Sequence, residues 1–169
     1  DVEVLKSFND LLQLPYFMGA EKAGTIEAAI LGAEKGTEWI KICLDYYTDK
    51  TFIKQDSSLD IRKLPEIMVE ELEKFKPIHY LDVEEMKNIK NMDFQKEILV
   101  MPNEYFSPKI FDSREVLITP RTYAIHHYQN SWFSHKAKIY YRTRTILIRI
   151  LGYNFIQKTE RILMPSRFK

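Results

Sequence analysis

The stretch "DVEVLKSFNDLL" (Asp1–Leu12) decides how the fold is read, because two periodicities meet in it. Val2 and Val4 alternate with Glu3, as along a strand. Leu5, Phe8, Leu11 and Leu12 then take helical spacing, and Pro15 stops the run. A strand this early, with helices to follow, predicts a mixed α+β chain and excludes an all-helical one. The opening lacks Met and starts on a strand already under way. It reads as a segment of a longer protein rather than the mature end of a processed one.

Working outward, "YFMGAEKAG" (16–24) reads as a short strand with a Gly-rich exit, and "TIEAAILGAEKG" (25–36) as a buried strand or a short helix. "GAEK" occurs twice, at Gly19 and Gly32, but lacks the Gly-Lys-Ser/Thr spacing that cradles phosphates. "TEWIKICLDYY" (37–47) predicts an amphipathic helix with Thr37 as N-cap and a stripe of Trp39, Ile40, Cys43, Leu44 and Tyr47. A second helix is expected over 64–76, with Pro65 in its first turn and Leu64, Ile67, Met68, Leu72 and Phe75 as its stripe. Strands are expected at Ile98–Met101 and around Ile125. The segment from His135 is β-branched, yet its length and the segregation of its residues favour a helix ending at Gly152. Ile139, Tyr140, Ile146, Leu147, Ile150 and Leu151 would share one face, with Lys138, Arg142 and Arg149 in a stripe beside it. The division expected is 1–133 as one portion and 134–169 as a basic helical tail.

Composition bounds the function. At 169 residues the chain is long enough for one domain with a real core. Cys43 is the single cysteine, which excludes an internal disulfide framework and a Cys-rich zinc site; it reads as a buried core thiol. No apolar run approaches the roughly 20 residues of a membrane span, and the acidic opening does not read as a signal peptide. The net charge of +1 hides an asymmetry: Ser134–Lys169 carries nine Lys/Arg against one acid, Glu160. A basic tail on an acidic body points to an anionic partner surface, lipid or nucleic acid. Cations and aromatics interleave in "KIYYRTRTILIRI" (138–150), but no nucleic-acid-binding motif accompanies them, so nucleic acid is not the expected partner.

The stretch "TYAIHHYQNSW" (Thr122–Trp132) carries adjacent histidines. Along a strand Tyr123, Ile125 and His127 share one face, and Ala124, His126 and Tyr128 the other. The pair reads either as one core histidine and one partly exposed, or as the source of one metal ligand.

Taken together, "DVEVLKSFNDLL", "AAILGAEKG" (28–36), "SSLDIRKLPEIM" (57–68), "EYFSPK" (104–109) and "TYAIHHYQNSW" resemble, in order and spacing, the family 32 glycosyltransferases, many of which are bacterial capsular polysaccharide enzymes. The likeness runs to about Phe133. It implies a GT-A type fold and transfer of a sugar, with retention, from a nucleotide-sugar donor to a saccharide or lipid-linked acceptor, with Mn²⁺ or Mg²⁺ as cofactor. Asp1 would be the last Asp of the family's Asp-x-Asp motif. The first Asp and the nucleotide-binding N-terminal half have no counterpart here, so the isolated segment is expected to be inactive, with a sheet edge that a partner chain, a second copy included, would cover.

The resemblance also implies roles. A cation bridging the donor phosphates stabilises the leaving group and takes hard oxygen ligands such as Asp1, while Mn²⁺ also accepts an imidazole. Only one of His126 and His127 should face it; likeness to metal-dependent GT-A enzymes favours His127, just ahead of Tyr128 and Trp132. Ser131 and Trp132 would contact the donor diphosphate, or be a capping Ser and a packed Trp. Glu27 would position the acceptor or stabilise charge on the sugar ring, or be an exposed strand residue. The expected location is cytoplasmic, peripheral at the inner face of the membrane. The competing reading is a noncatalytic module that docks through its basic tail, and the bland reading of the helix from His135 is that its apolar face packs on the domain.

Overall fold

The structure is a computed structural model that describes residues 1–21, 24–109, 115–128 and 134–163; of Arg161 it describes the backbone. It is α+β. The chain divides into two compact units, one of Val2–Pro108 with Ile118–His126, the other of Asp1, Lys109–Leu117 and His127–Lys169.

The first unit is built on short strands. β1 (Val2–Val4) pairs antiparallel with β6 (Ala124–His126), Val2 opposite His126. β2 (Tyr16–Ala20) and β3 (Ile26–Ala33) form an antiparallel hairpin, so the 25–36 stretch is strand rather than helix. β4 (Ile78–Tyr80) and β5 (Ile98–Val100) run parallel. Just past β5, Met101 N–H donates to Met18 O at 2.9 Å and Ala20 N–H donates to Met101 O at 2.8 Å, which ties β2 to β5.

Every residue of β2 is buried because the strand is covered on both faces. Side chains alternate across a strand. Phe17 therefore joins Leu99, Met101, Phe106 and Tyr123 on one side. Tyr16, Met18 and Ala20 join Trp39, Met68, Leu72, Ile98 and Val100 on the other.

Two helices supply the second of those layers. α1 (Glu38–Asp45) buries Trp39 and Cys43, but Leu44 is 64% exposed, so its apolar stripe is narrower than the sequence suggests. Thr37 stands at the N-cap, yet its hydroxyl donates to Glu34 O at 2.6 Å and caps no helix amide. α2 (Leu64–Phe75) has Pro65 in its first turn and buries Ile67, Met68 and Leu72, as the 3.6-residue period predicts. Pro77 then stops it, and β4 begins at once; a three-residue strand is too short for its periodicity to register.

The second unit holds α3 (His135–Leu151) and α4 (Tyr153–Leu163). Ser134 caps α3 by accepting Ala137 N–H, and Gly152, at φ 83°, closes it. These are the bounds the sequence gives for this helix. The residues beyond Gly152, expected only as basic tail, form a further helix that packs back on α3.

Candidate active site

The site grows from an irregularity in the β2–β3 hairpin. Met18 faces Leu31, but Ala20 faces Ile26, so a two-residue step on β2 meets a five-residue step on β3. The extra residues form a bulge after Glu27. Ile26 and Ala28 pack in the layer of Trp39 and Met68, so Glu27 between them alternates to the other face of the hairpin, which is covered too. Glu27 is 2% exposed, which overturns the reading of it as an exposed strand residue. Its Oε1 accepts Ala29 N–H at 2.8 Å, an amide freed by the bulge.

Two side chains converge on the other carboxylate oxygen. Ser107, fully buried, donates its hydroxyl to Oε2 at 2.7 Å. His126 Nδ1 lies 3.1 Å from the same atom. Burial pushes the Glu27 carboxyl up, but the hydrogen bonds from His126, Ser107 and the Ala29 amide together outweigh it and hold the group below its ordinary value. An ionised carboxylate only accepts, so in the neutral imidazole Nδ1 carries the proton and Nε2 the lone pair.

Neighbouring strands fix these partners. His126 ends β6, registered by Val2. Tyr123, just ahead of β6, is pinned on several sides: its N–H donates to Tyr105 O at 2.8 Å, its hydroxyl donates to the Asp10 carboxylate, and Lys6 Nζ sits 3.8 Å over its ring. Burial, then the Asp10 bond, push the Tyr123 hydroxyl up; the same bond draws the Asp10 carboxyl down. Ser107 follows the turn Asn103–Tyr105, its amide donating to Asn103 O at 2.7 Å.

Asp1 and His127 lie in the second unit. Asp1 is exposed and accepts, through its backbone oxygen, the N–H of the half-buried His127 at 2.9 Å. Lys109 Nζ donates to the His127 carbonyl. Ser131 and Trp132 lie outside the described residues. Ser107 is the member that sequence reasoning passed over; the signal was present in "EYFSPK", where it stands between Phe106 and Pro108.

The donor chemistry suits a divalent cation in one respect: an imidazole held through Nδ1 by a carboxylate is how protein metal sites orient a histidine ligand. Among the described residues no three of His, Cys, Asp and Glu come together to hold a metal ion. No family model, curated protein or solved structure matches this chain.

Proposed function

We propose that this chain is the acceptor-side and C-terminal portion of a retaining, metal-dependent glycosyltransferase with a GT-A type catalytic domain, acting on a nucleotide-sugar donor and a saccharide or lipid-linked acceptor in surface polysaccharide synthesis at the cytoplasmic face. One observation carries the reading. Stretches far apart in sequence, each resembling the family, supply or adjoin one hydrogen-bonded cluster: Glu27 immediately ahead of 28–36, Ser107 from 104–109 and His126 from 122–132. The opening strand registers the last of these.

In this reading His126 is the histidine that serves the cation, in preference to His127. Glu27, held by the Ala29 amide, Ser107 and His126, is a positioning residue that acts through His126, and Ser107 fixes the carboxylate. Bound Mn²⁺ or Mg²⁺ would neutralise charge on the departing nucleoside diphosphate. The chain's own contribution is an imidazole whose tautomer and orientation are set before the donor arrives, so no reorganisation is needed at the moment of transfer.

The test uses the full-length protein with a panel of nucleotide sugars and Mn²⁺, reading nucleotide release. Release that a chelator abolishes and that His126→Ala suppresses is expected. Glu27→Gln should raise the Mn²⁺ needed for half-maximal rate about 10- to 100-fold while the circular dichroism spectrum stays unchanged. Release indifferent to chelation and to His126→Ala, or no release from any donor, would overturn the proposal.

A further inference from the structure

We propose that the exposed apolar and cationic residues of α3, with those of α4, dock on an anionic lipid bilayer. The inference stands apart from the sugar-transfer reading and rests on the second unit alone.

α3 has two unlike sides. The side toward α4 carries Tyr140, Arg144 and the buried Ile148. There Arg144 grips Glu160 through two bonds, Nε to Oε1 at 2.7 Å and the second guanidinium nitrogen to Oε2 at 3.0 Å. A second side, about a third of a turn round the helix, is apolar and exposed: Ile139 is 65% exposed, Ile146 50% and Ile150 71%. At i, i+7 and i+11 they form one stripe. Arg142 and Arg149, both exposed, flank it three residues after Ile139 and Ile146.

The pattern recurs on α4. Phe155 and Ile162 are exposed seven residues apart, and exposed Lys158 stands three after Phe155. Each helix therefore repeats apolar, cation at +3, apolar at +7. Packing of α3 against α4 does not account for these side chains, because they remain exposed with the two helices together.

Charge selects the occupant. The two helices carry seven Lys/Arg and a single acid, Glu160, which Arg144 engages. Isoleucines whose flanking charges on the helix are all cations match negative headgroups over hydrocarbon, the habit of helices lying in a membrane interface. A nucleic acid would use the cations and leave the isoleucines in water. No helix among the described residues is long and apolar enough to cross a membrane, so the fitting geometry is a helix lying along the surface.

Vesicle flotation of the full-length protein tests this, with phosphatidylcholine vesicles set against vesicles that also contain phosphatidylglycerol. Flotation with the anionic vesicles, lost in high salt, is expected. Arg142→Gln with Arg149→Gln should lower the partition about tenfold or more, and Ile146→Asn with Ile150→Asn comparably, helix content being unchanged. Equal flotation with both vesicle types, or none with either, overturns the proposal. So does anionic flotation that the isoleucine variants leave intact, which would mark a general polyanion site. A concentration-dependent dimer that Ile146→Asn abolishes would assign the face to a second copy instead.

Discussion

The Glu27 carboxylate and the His126 imidazole, 99 positions apart in the chain, meet at 3.1 Å with Glu27 shut away from solvent. A buried charge persists only when its lone pairs are satisfied. Here a ring nitrogen, a hydroxyl and a backbone amide satisfy them.

Truncating Glu27 to Ala strands those three donors together. A loss of about 3 kcal/mol in unfolding free energy is expected, with a smaller loss for Glu27→Gln, which keeps the shape and can still accept. The folded carboxyl sits below its ordinary 4.5. Its stabilising contribution is therefore fully present above that value and is lost as pH falls through the lower, folded one. Denaturant titrations at neutral pH and at progressively lower pH should show the gap between wild type and Glu27→Gln narrowing below about 4.5. A gap that widens on acidification would contradict the assignment.

Gly32 faces Phe17 across the hairpin, and a Cβ there would run into the Phe17 ring. Phe17 is buried and stacks on Phe8 at 5.8 Å, so it has little room to yield. Gly32→Ala should cost roughly 1–3 kcal/mol. Thermal melts would read it; an unchanged midpoint would mean that the ring moves freely.

Cys43 lies on the inner face of α1, 9% exposed. Burial, then the nearby Glu71 charge, push its thiol up to about 11. At neutral pH it is almost wholly protonated, and the thiolate is the reactive form. A thiol reagent should label it slowly in the native protein and rapidly in denaturant. Fast native labelling would contradict its placement.

Much of this architecture is legible in sequence, for identifiable reasons. α2 and α3 announce themselves because each carries several turns of one period between clear stops, Pro77 and Gly152. Cys43 reads correctly as core because a lone thiol in an apolar stripe has few other roles. β4 escapes because three residues cannot establish a period. α4 escapes because its polar, cationic residues dilute the apolar ones, and the exposed stripe of α3 reads in sequence more readily as a face packed on the domain, since periodicity alone does not say what covers it. Glu27 is the instructive case. Alternation does point it opposite to Ile26 and Ala28, but that face is covered as well, by residues further along the chain that include Ser107, 80 positions on, and His126, 99 on. For the histidine pair the likeness favours His127, whereas the contact that a one-dimensional reading cannot show is the buried Glu27 carboxylate beside His126.

The most direct measurement is ¹⁵N NMR of the imidazoles in the full-length protein, titrated with Mn²⁺. The account predicts that His126 has its proton on Nδ1, that its Nε2 resonance is among the first broadened by the paramagnetic ion, and that Glu27→Gln moves that broadening to higher Mn²⁺. A His126 ring protonated on Nε2, or one left sharp while only His127 broadens, would contradict it.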